Sequence, residues 1–177
     1  SLNGNLRYLE TQSGRYHLDE ERLEYSLSLW YAPYERLSLT ATYSFIENTA
    51  DTRAAYKTYH MRDAASLFLF DDVPYDDRSH SLYLAATYRV SPRLSLSGDI
   101  TLMRSTADFD TVLDSRNVGE LSDIEIDRHE TSLGATYLLT NSVSVYATYI
   151  YRESDDRTSS YLDGEFSYIL CGVSWRD

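Results

Sequence analysis

The sequence predicts an all-β protein, an antiparallel up-and-down transmembrane β-barrel of about eight strands with short turns at one rim and long loops at the other. Three observations predict it. Apolar and small polar residues alternate with period two, no stretch approaches the roughly 18 to 20 consecutive apolar residues of a membrane helix, and one hairpin recurs three times.

Composition bounds the answer before any motif is read. The 177 residues suffice for one domain spanning 1–177, read either as a complete barrel or as the C-terminal part of a larger one. Tyrosine leads the aromatics with 17 copies against 5 Phe and 2 Trp, and its apolar body and wet tip suit a border between oil and water. The net charge is −12, and among 16 basic residues Lys57 is the single lysine, which sets nucleic acid aside as a partner. The lone cysteine, Cys171, has no internal disulfide partner. No leader with a small-residue cleavage site precedes Ser1, as expected of a mature chain or one whose signal has been removed.

The elements follow in chain order. A half-hairpin, "LNGNLRYLE", opens the chain, and three full hairpins follow: "LSLWYAPYERLSLTATYSF", "LAATYRVSPRLSLSGDITL" and "LGATYLLTNSVSVYATYIY". In each, a strand ends in tyrosine (Tyr31, Tyr88, Tyr137), a short turn intervenes, and the next strand opens Leu-Ser-Leu or Val-Ser-Val. Pro33 and Pro92 are placed in the first two turns, and Asn141-Ser142 serves the third through local side-chain hydrogen bonds. The half-hairpin "FSYILCGVSW" completes eight strands, an even number that permits antiparallel closure. Between hairpins lie polar, acidic stretches, 11–20, 47–78, 105–128 and 153–164, expected as long loops on one rim.

The alternation also says which face meets what. Leu37, Leu39, Ala41, Tyr43 and Phe45 share one face and Ser38, Thr40, Thr42 and Ser44 the other; Leu94, Leu96, Gly98, Ile100 and Leu102 oppose Ser95, Ser97, Asp99 and Thr101. A water-exposed face would carry Lys, Glu and Arg, whereas these polar faces are mostly small hydroxyls, so the apolar set is placed outward against lipid. Arg7, Glu24, Arg89, Asp99, Arg104 and Arg152 are placed inside, where Asp99 is expected to meet one or more of Arg89, Arg104 and Arg152, because an unpaired charge in a narrow interior is costly. Tyr31, Tyr88, Tyr137 and Trp175 lie near the short turns, and Tyr8, Tyr43, Phe45, Tyr149 and Tyr151 near the long loops, which implies two aromatic girdles. From Leu37 to Phe45 is about 27 Å along the strand and roughly 20 Å when tilted, close to an outer-membrane apolar band.

Taken together, these hairpins and rims resemble the β-barrel proteins of the bacterial outer membrane, either the eight-stranded type or the C-terminal hairpins of a larger porin-like barrel such as the sheath proteins of porin–cytochrome conduits. The last strand, "YILCGVSW", resembles the closing strand of such barrels, although the family usually finishes on an aromatic residue and this chain finishes Trp175-Arg176-Asp177. The resemblance implies a Gram-negative outer membrane, short periplasmic turns, acidic outer loops as an interaction surface, and a role as scaffold or small passive channel. Alternatives are a hairpin segment of a larger porin or electron-conduit sheath, an outer-membrane barrel enzyme, and a soluble lipocalin-like carrier.

The candidates for a nucleophile and base are "RSHS" (Arg78–Ser81) and "RHETS" (Arg128–Ser132), but neighbours on a strand point to opposite faces, so neither His80 with Ser81 nor His129 with Glu130 forms a local dyad. No catalytic, cofactor-binding or metal-ligating residue is assigned, no cofactor is called for, and His17, His60, His80 and His129 are read as rim and loop residues. "DDVPYDD" (Asp71–Asp77) is read as a solvated acidic loop, with Ca²⁺ or Mg²⁺ bridging from such carboxylates to lipopolysaccharide phosphates as its functional reading. The apolar run Leu67 to Phe70 extends a strand, folds into the barrel mouth as a plug, or forms a partner contact, and the sequence leaves the three open. A partner protein is expected at 47–78 and 105–128.

Overall fold

Period-two sequence becomes paired strand wherever each backbone group finds a partner in the neighbouring chain segment, and here that pairing runs through most of the protein. A computed structural model describes residues 1–13, 18–58, 66–109, 112–113, 116–117, 124–158 and 163–175. The strands are β1 (Leu2–Ser13), β2 (Leu18–Tyr34), β3 (Leu37–Thr58), β4 (Ser66–Arg89), β5 (Leu94–Phe109), β6 (Val112–Leu113), β7 (Arg116–Asn117), β8 (Ile124–Leu138), β9 (Val143–Asp156) and β10 (Gly164–Trp175).

Eight of them form one sheet in the order β1-β2-β3-β4-β5-β8-β9-β10, every neighbour antiparallel, which is the expected up-and-down meander. β1 and β10 are its two edges. The tiny hairpin β6–β7 sits within the β5–β8 connection.

The short turns are built by hydroxyls. Ser91 Oγ accepts from the amides of Arg93 at 3.2 Å and Leu94 at 3.1 Å, and Thr140 Oγ1 accepts from Ser142 at 3.2 Å and Val143 at 3.0 Å. The repeated hairpin therefore uses one device twice, with Thr140 rather than Asn141-Ser142 supplying the acceptor. Pro33 lies at the end of β2, where the register with β3 shifts between Tyr31 and Tyr34, and the turn itself is Glu35-Arg36. A residue without an amide hydrogen fits a position where the ladder is broken.

The largest correction concerns the long loops. Of 47–78, residues to Thr58 continue β3 and residues from Ser66 begin β4, giving strands of 22 and 24 residues where a membrane crossing needs about 9 to 11. "DDVPYDD" and the run Leu67 to Phe70 are thus extended backbone in β4, the run pairing with Ala54 to Lys57 of β3, so the strand-extension reading holds. A register shift between Thr52 and Ala54 marks a bulge in this outer part. The other acidic stretches shorten likewise, because β1 reaches Ser13, β5 reaches Phe109 and β9 reaches Asp156. Polar residues on both sides of a strand remove the hydropathy signal while leaving the backbone ladder intact.

Nothing in the described part of the sheet is packed as a soluble core. Buried hydrophobic residues are confined to Ala50 and Ala107, while Leu6 is 71% exposed, Ile169 69% and Trp175 75%. A lipocalin-like carrier would bury one face of such strands, so its pattern is not the one seen.

Candidate functional site: a wall with two chemistries

Register turns the alternation into rows. Tyr31, Leu39, Ala86, Gly98, Leu133, Tyr149 and Ile169 are successive cross-strand partners on the apolar face, and the next row carries Leu29, Ala41, Leu84, Ile100, Thr131 and Tyr151. Near the short turns this face carries Tyr31, Tyr88, Tyr137 and Trp175. Towards the other rim lies an aromatic cluster in which Tyr25 and Phe45 are 5.0 Å apart, Phe45 and His80 4.7 Å, and Tyr43 Oη shares a hydrogen bond of 2.8 Å with His80 Nδ1. Both girdles are therefore on the apolar side, where a lipid boundary requires them.

Directly beyond the upper girdle the same face becomes charged. Arg78 Nε lies 2.9 Å from Glu47, Arg104 pairs with Glu125, and Arg157 lies 2.7 Å from Asp127. Arg104 was expected on the interior face; its parity with Ile100 and Leu102 puts it on the apolar side, and the interior reading is corrected. The β9 end is fixed by Asp156, whose amide donates to Asp163 Oδ1 at 2.6 Å and whose Oδ1 accepts from the Thr158 amide at 3.0 Å. In the outer part of β4, burial raises the Tyr75 hydroxyl above the ordinary tyrosine range, with the Asp77 carboxylate adding to the effect.

The opposite face is rich in small hydroxyls, with Trp30, Tyr83, Phe166, Tyr168 and Leu170 standing among them. Ser28 and Thr42 hydroxyls are 3.0 Å apart, and Ser132 donates to the Asp99 carboxylate. Asp99 was expected to meet Arg89, Arg104 or Arg152; its partner is this serine, and Arg152 instead pairs with Glu130 while its Cζ sits 5.3 Å above the Phe166 ring. Glu24 lies opposite Arg7 in register, yet its ion pair is with Arg22 at 2.7 Å. Where β9 meets β10, Tyr146 lies directly opposite Gly172, with its ring over the glycine. This contact depends on a cross-strand register that hydropathy does not report.

The candidate nucleophiles and bases are distributed between the faces. His80 and His129 share the apolar side with Tyr43 and Leu102, whereas Ser81, Glu130 and Ser132 lie on the polar side. Glu130 is engaged by Arg152 and Ser132 by Asp99. His17 and His60 lie outside the described residues. Among the described residues, no three His, Cys, Asp or Glu side chains are grouped to hold a metal ion.

What the arrangement can do is separate two environments: one face presents an apolar band closed by aromatic rims, and the other carries hydroxyls and paired charges among a few large side chains. No helix among the described residues is long and apolar enough to cross a membrane, and strands this long are what crosses instead. No curated protein matches the chain. The profile of the outer membrane beta-barrel porin family MtrB/PioB matches residues 7–169, nearly the whole of the sheet just described. With its up-and-down strands, two-faced alternation and paired girdles, this chain belongs to the MtrB/PioB family of outer-membrane β-barrel porins.

Proposed function

We propose that the chain is a non-catalytic wall of a passive porin-like barrel, with its polar face towards a water-filled lumen and its acidic outer extensions serving as an interaction surface. One observation carries this reading. On the polar face Ser28, Thr42, Ala85, Ser97, Gly134 and Thr148 are side chains too small to fill the interior of an eight-stranded barrel, which is normally packed by its own residues, although the larger Trp30, Tyr83, Tyr168 and Leu170 stand in the same rows. Small hydroxyls beside water lose nothing by being unpacked.

A second reading draws on the two edge strands, β1 and β10, which are not paired with each other. It makes these strands a hairpin segment of a wider porin or electron-conduit sheath. Planar-bilayer recording of the full protein tests both. Large, steady currents support the water-filled lumen and a barrel wider than eight strands, and tiny or absent currents from inserted protein overturn the open lumen and leave an eight-stranded scaffold.

The long-loop rim is proposed to face the cell exterior, with 47–78 and 105–128 available to a partner protein and acidic residues bridged by Ca²⁺ or Mg²⁺ to lipopolysaccharide phosphates. Surface labelling tests the orientation, using Ser115→Cys and Ser91→Cys in a Cys171→Ala background with a membrane-impermeant reagent on live cells. Selective labelling at position 115 is expected, selective labelling at 91 inverts the barrel, and equal labelling removes it from the membrane.

A further inference from the structure

Charge is sparse on the polar face and its placement is uneven. Between the levels of the two girdles this face holds three charged side chains among the described residues, Arg7, Glu130 and Asp99. Arg7 and Glu130 stand at the upper end, next to Tyr8 and His129, and each has a countercharge at hand. Glu24 lies opposite Arg7 in register, and Arg152 pairs with Glu130. Asp99 stands mid-span on β5, three residues from Leu102 and five from Leu94. Among the described residues it forms no ion pair, and its partner is the hydroxyl of Ser132.

The surroundings of that carboxylate are open and rich in oxygen. In its own row it is flanked by Ala85 and Ser132, with Trp30 and Tyr168 each three strands away on either side. The next row towards the long loops carries Tyr83, Thr101 and the Glu130–Arg152 pair. The next row towards the short turns carries Ser97, Gly134 and Thr148. There a Cβ on Gly134 would come within 2.7 Å of Ser97 Oγ and 3.3 Å of Thr148 Oγ1, so two hydroxyl oxygens converge over the glycine. A hard cation is solvated by such oxygens, whereas an anion meets acceptors facing it.

Two carboxylates, Asp99 and Glu130, against one guanidinium, Arg152, leave one negative charge in the centre of the wall. A dry carboxylate without a cation is costly, but one beside water keeps its hydration and projects its charge into the solution. The Glu130–Arg152 pair acts at a distance only as a dipole, so the field in mid-lumen is that of Asp99.

We propose that Asp99 sets the ionic selectivity of the lumen and makes it a path that favours small cations over anions. The role rests on the water-filled lumen proposed above. The reach of the charge follows the screening length, about 30 Å in 0.01 M salt and about 3 Å in 1 M. Selectivity therefore belongs to dilute salt and fades in concentrated salt.

Reversal potentials of the full protein in planar bilayers test this, with KCl at about 0.01 M on one side and about 0.05 M on the other. The parent is expected to pass K⁺ several-fold better than Cl⁻. Asp99→Asn, which keeps an acceptor for Ser132, should lower that ratio at least about twofold, and Asp99→Arg should move it further towards Cl⁻. Asp99→Glu and Ser132→Ala keep the charge and should keep the ratio, which a purely structural role for the Asp99–Ser132 contact would not give. Heat-modifiable gel mobility verifies that each variant is folded. Open channels whose reversal potential is the same in the parent, Asp99→Asn and Asp99→Arg overturn the inference and leave the lumen standing. Parent selectivity that persists undiminished in about 1 M KCl overturns it without any variant. Inserted protein that passes no current overturns the open lumen and this role with it.

Discussion

The contact between Tyr146 and Gly172 offers the sharpest quantitative test of the register. A Cβ added at position 172 would lie 2.5 Å from Tyr146 Cζ and 2.8 Å from Cε1, where carbon atoms rest about 3.5 to 4.0 Å apart. In Gly172→Ala the ring must retreat by about 1 Å, and overpacking of this kind costs about 1–3 kcal/mol. Against that, replacing glycine in a strand recovers about 0.5–1 kcal/mol of backbone entropy. The net expectation is a loss of about 1–2 kcal/mol. In a Tyr146→Ala background the clash is gone and only the entropy term remains, so the same substitution should become stabilising by about 0.5 kcal/mol. Denaturant unfolding in lipid vesicles, followed by tryptophan fluorescence from Trp30 and Trp175, measures all four corners of the cycle. A loss from Gly172→Ala that is the same with and without the Tyr146 ring would refute the reasoning, as would a gain in the parent chain.

Other expectations follow from the two faces. Ile100→Arg places a charge on the lipid side and should cost about 2–4 kcal/mol in vesicle unfolding, whereas Thr101→Arg, one residue along and on the other face, should cost less than about 1 kcal/mol; equal costs would mean that both faces are wet, and a larger cost at position 101 that the faces are reversed. Arg152→Gln leaves Glu130 without its cation and removes the contact over Phe166, a loss of about 0.5–1 kcal/mol given side chains 38% and 29% exposed, and Glu130→Gln should restore most of it. The protein should stay with membranes through alkaline carbonate washing and run at different positions on gels with and without boiling; a soluble, monodisperse product in the absence of detergent would contradict the membrane assignment.

Much of the wall was legible because lipid and water impose the same period on every strand. Leu37 to Phe45 and Leu94 to Leu102 gave their faces directly, and the tyrosines closing each hairpin marked the rim. Arg104 shares the parity of Ile100 and Leu102, so strand geometry and not charge decides its face, and beyond the apolar band that face meets water. The Ser132–Asp99 and Tyr146–Gly172 contacts were out of reach for a different reason. Each depends on how two strands slide past one another, and composition alone does not fix that offset. The outer halves of β3 and β4 were hidden because, beyond the bilayer, water on both sides erases the alternation while the ladder of backbone hydrogen bonds continues.

That continued ladder turns what composition suggests is a floppy loop into a stalk of fixed height. At about 3.3 Å per residue, the 24 residues of β4 extend to nearly 80 Å before tilt, and the bilayer accounts for less than half. Its tip is therefore held at a set distance from the membrane, and a ligand meeting it finds its ordering entropy already spent. Height can then change only in matched steps, since lengthening one strand alone leaves an unpaired residue, as at the bulge between Thr52 and Ala54. A barrel built this way has a graduated mast, whose reach beyond the bilayer is set by counting residue pairs.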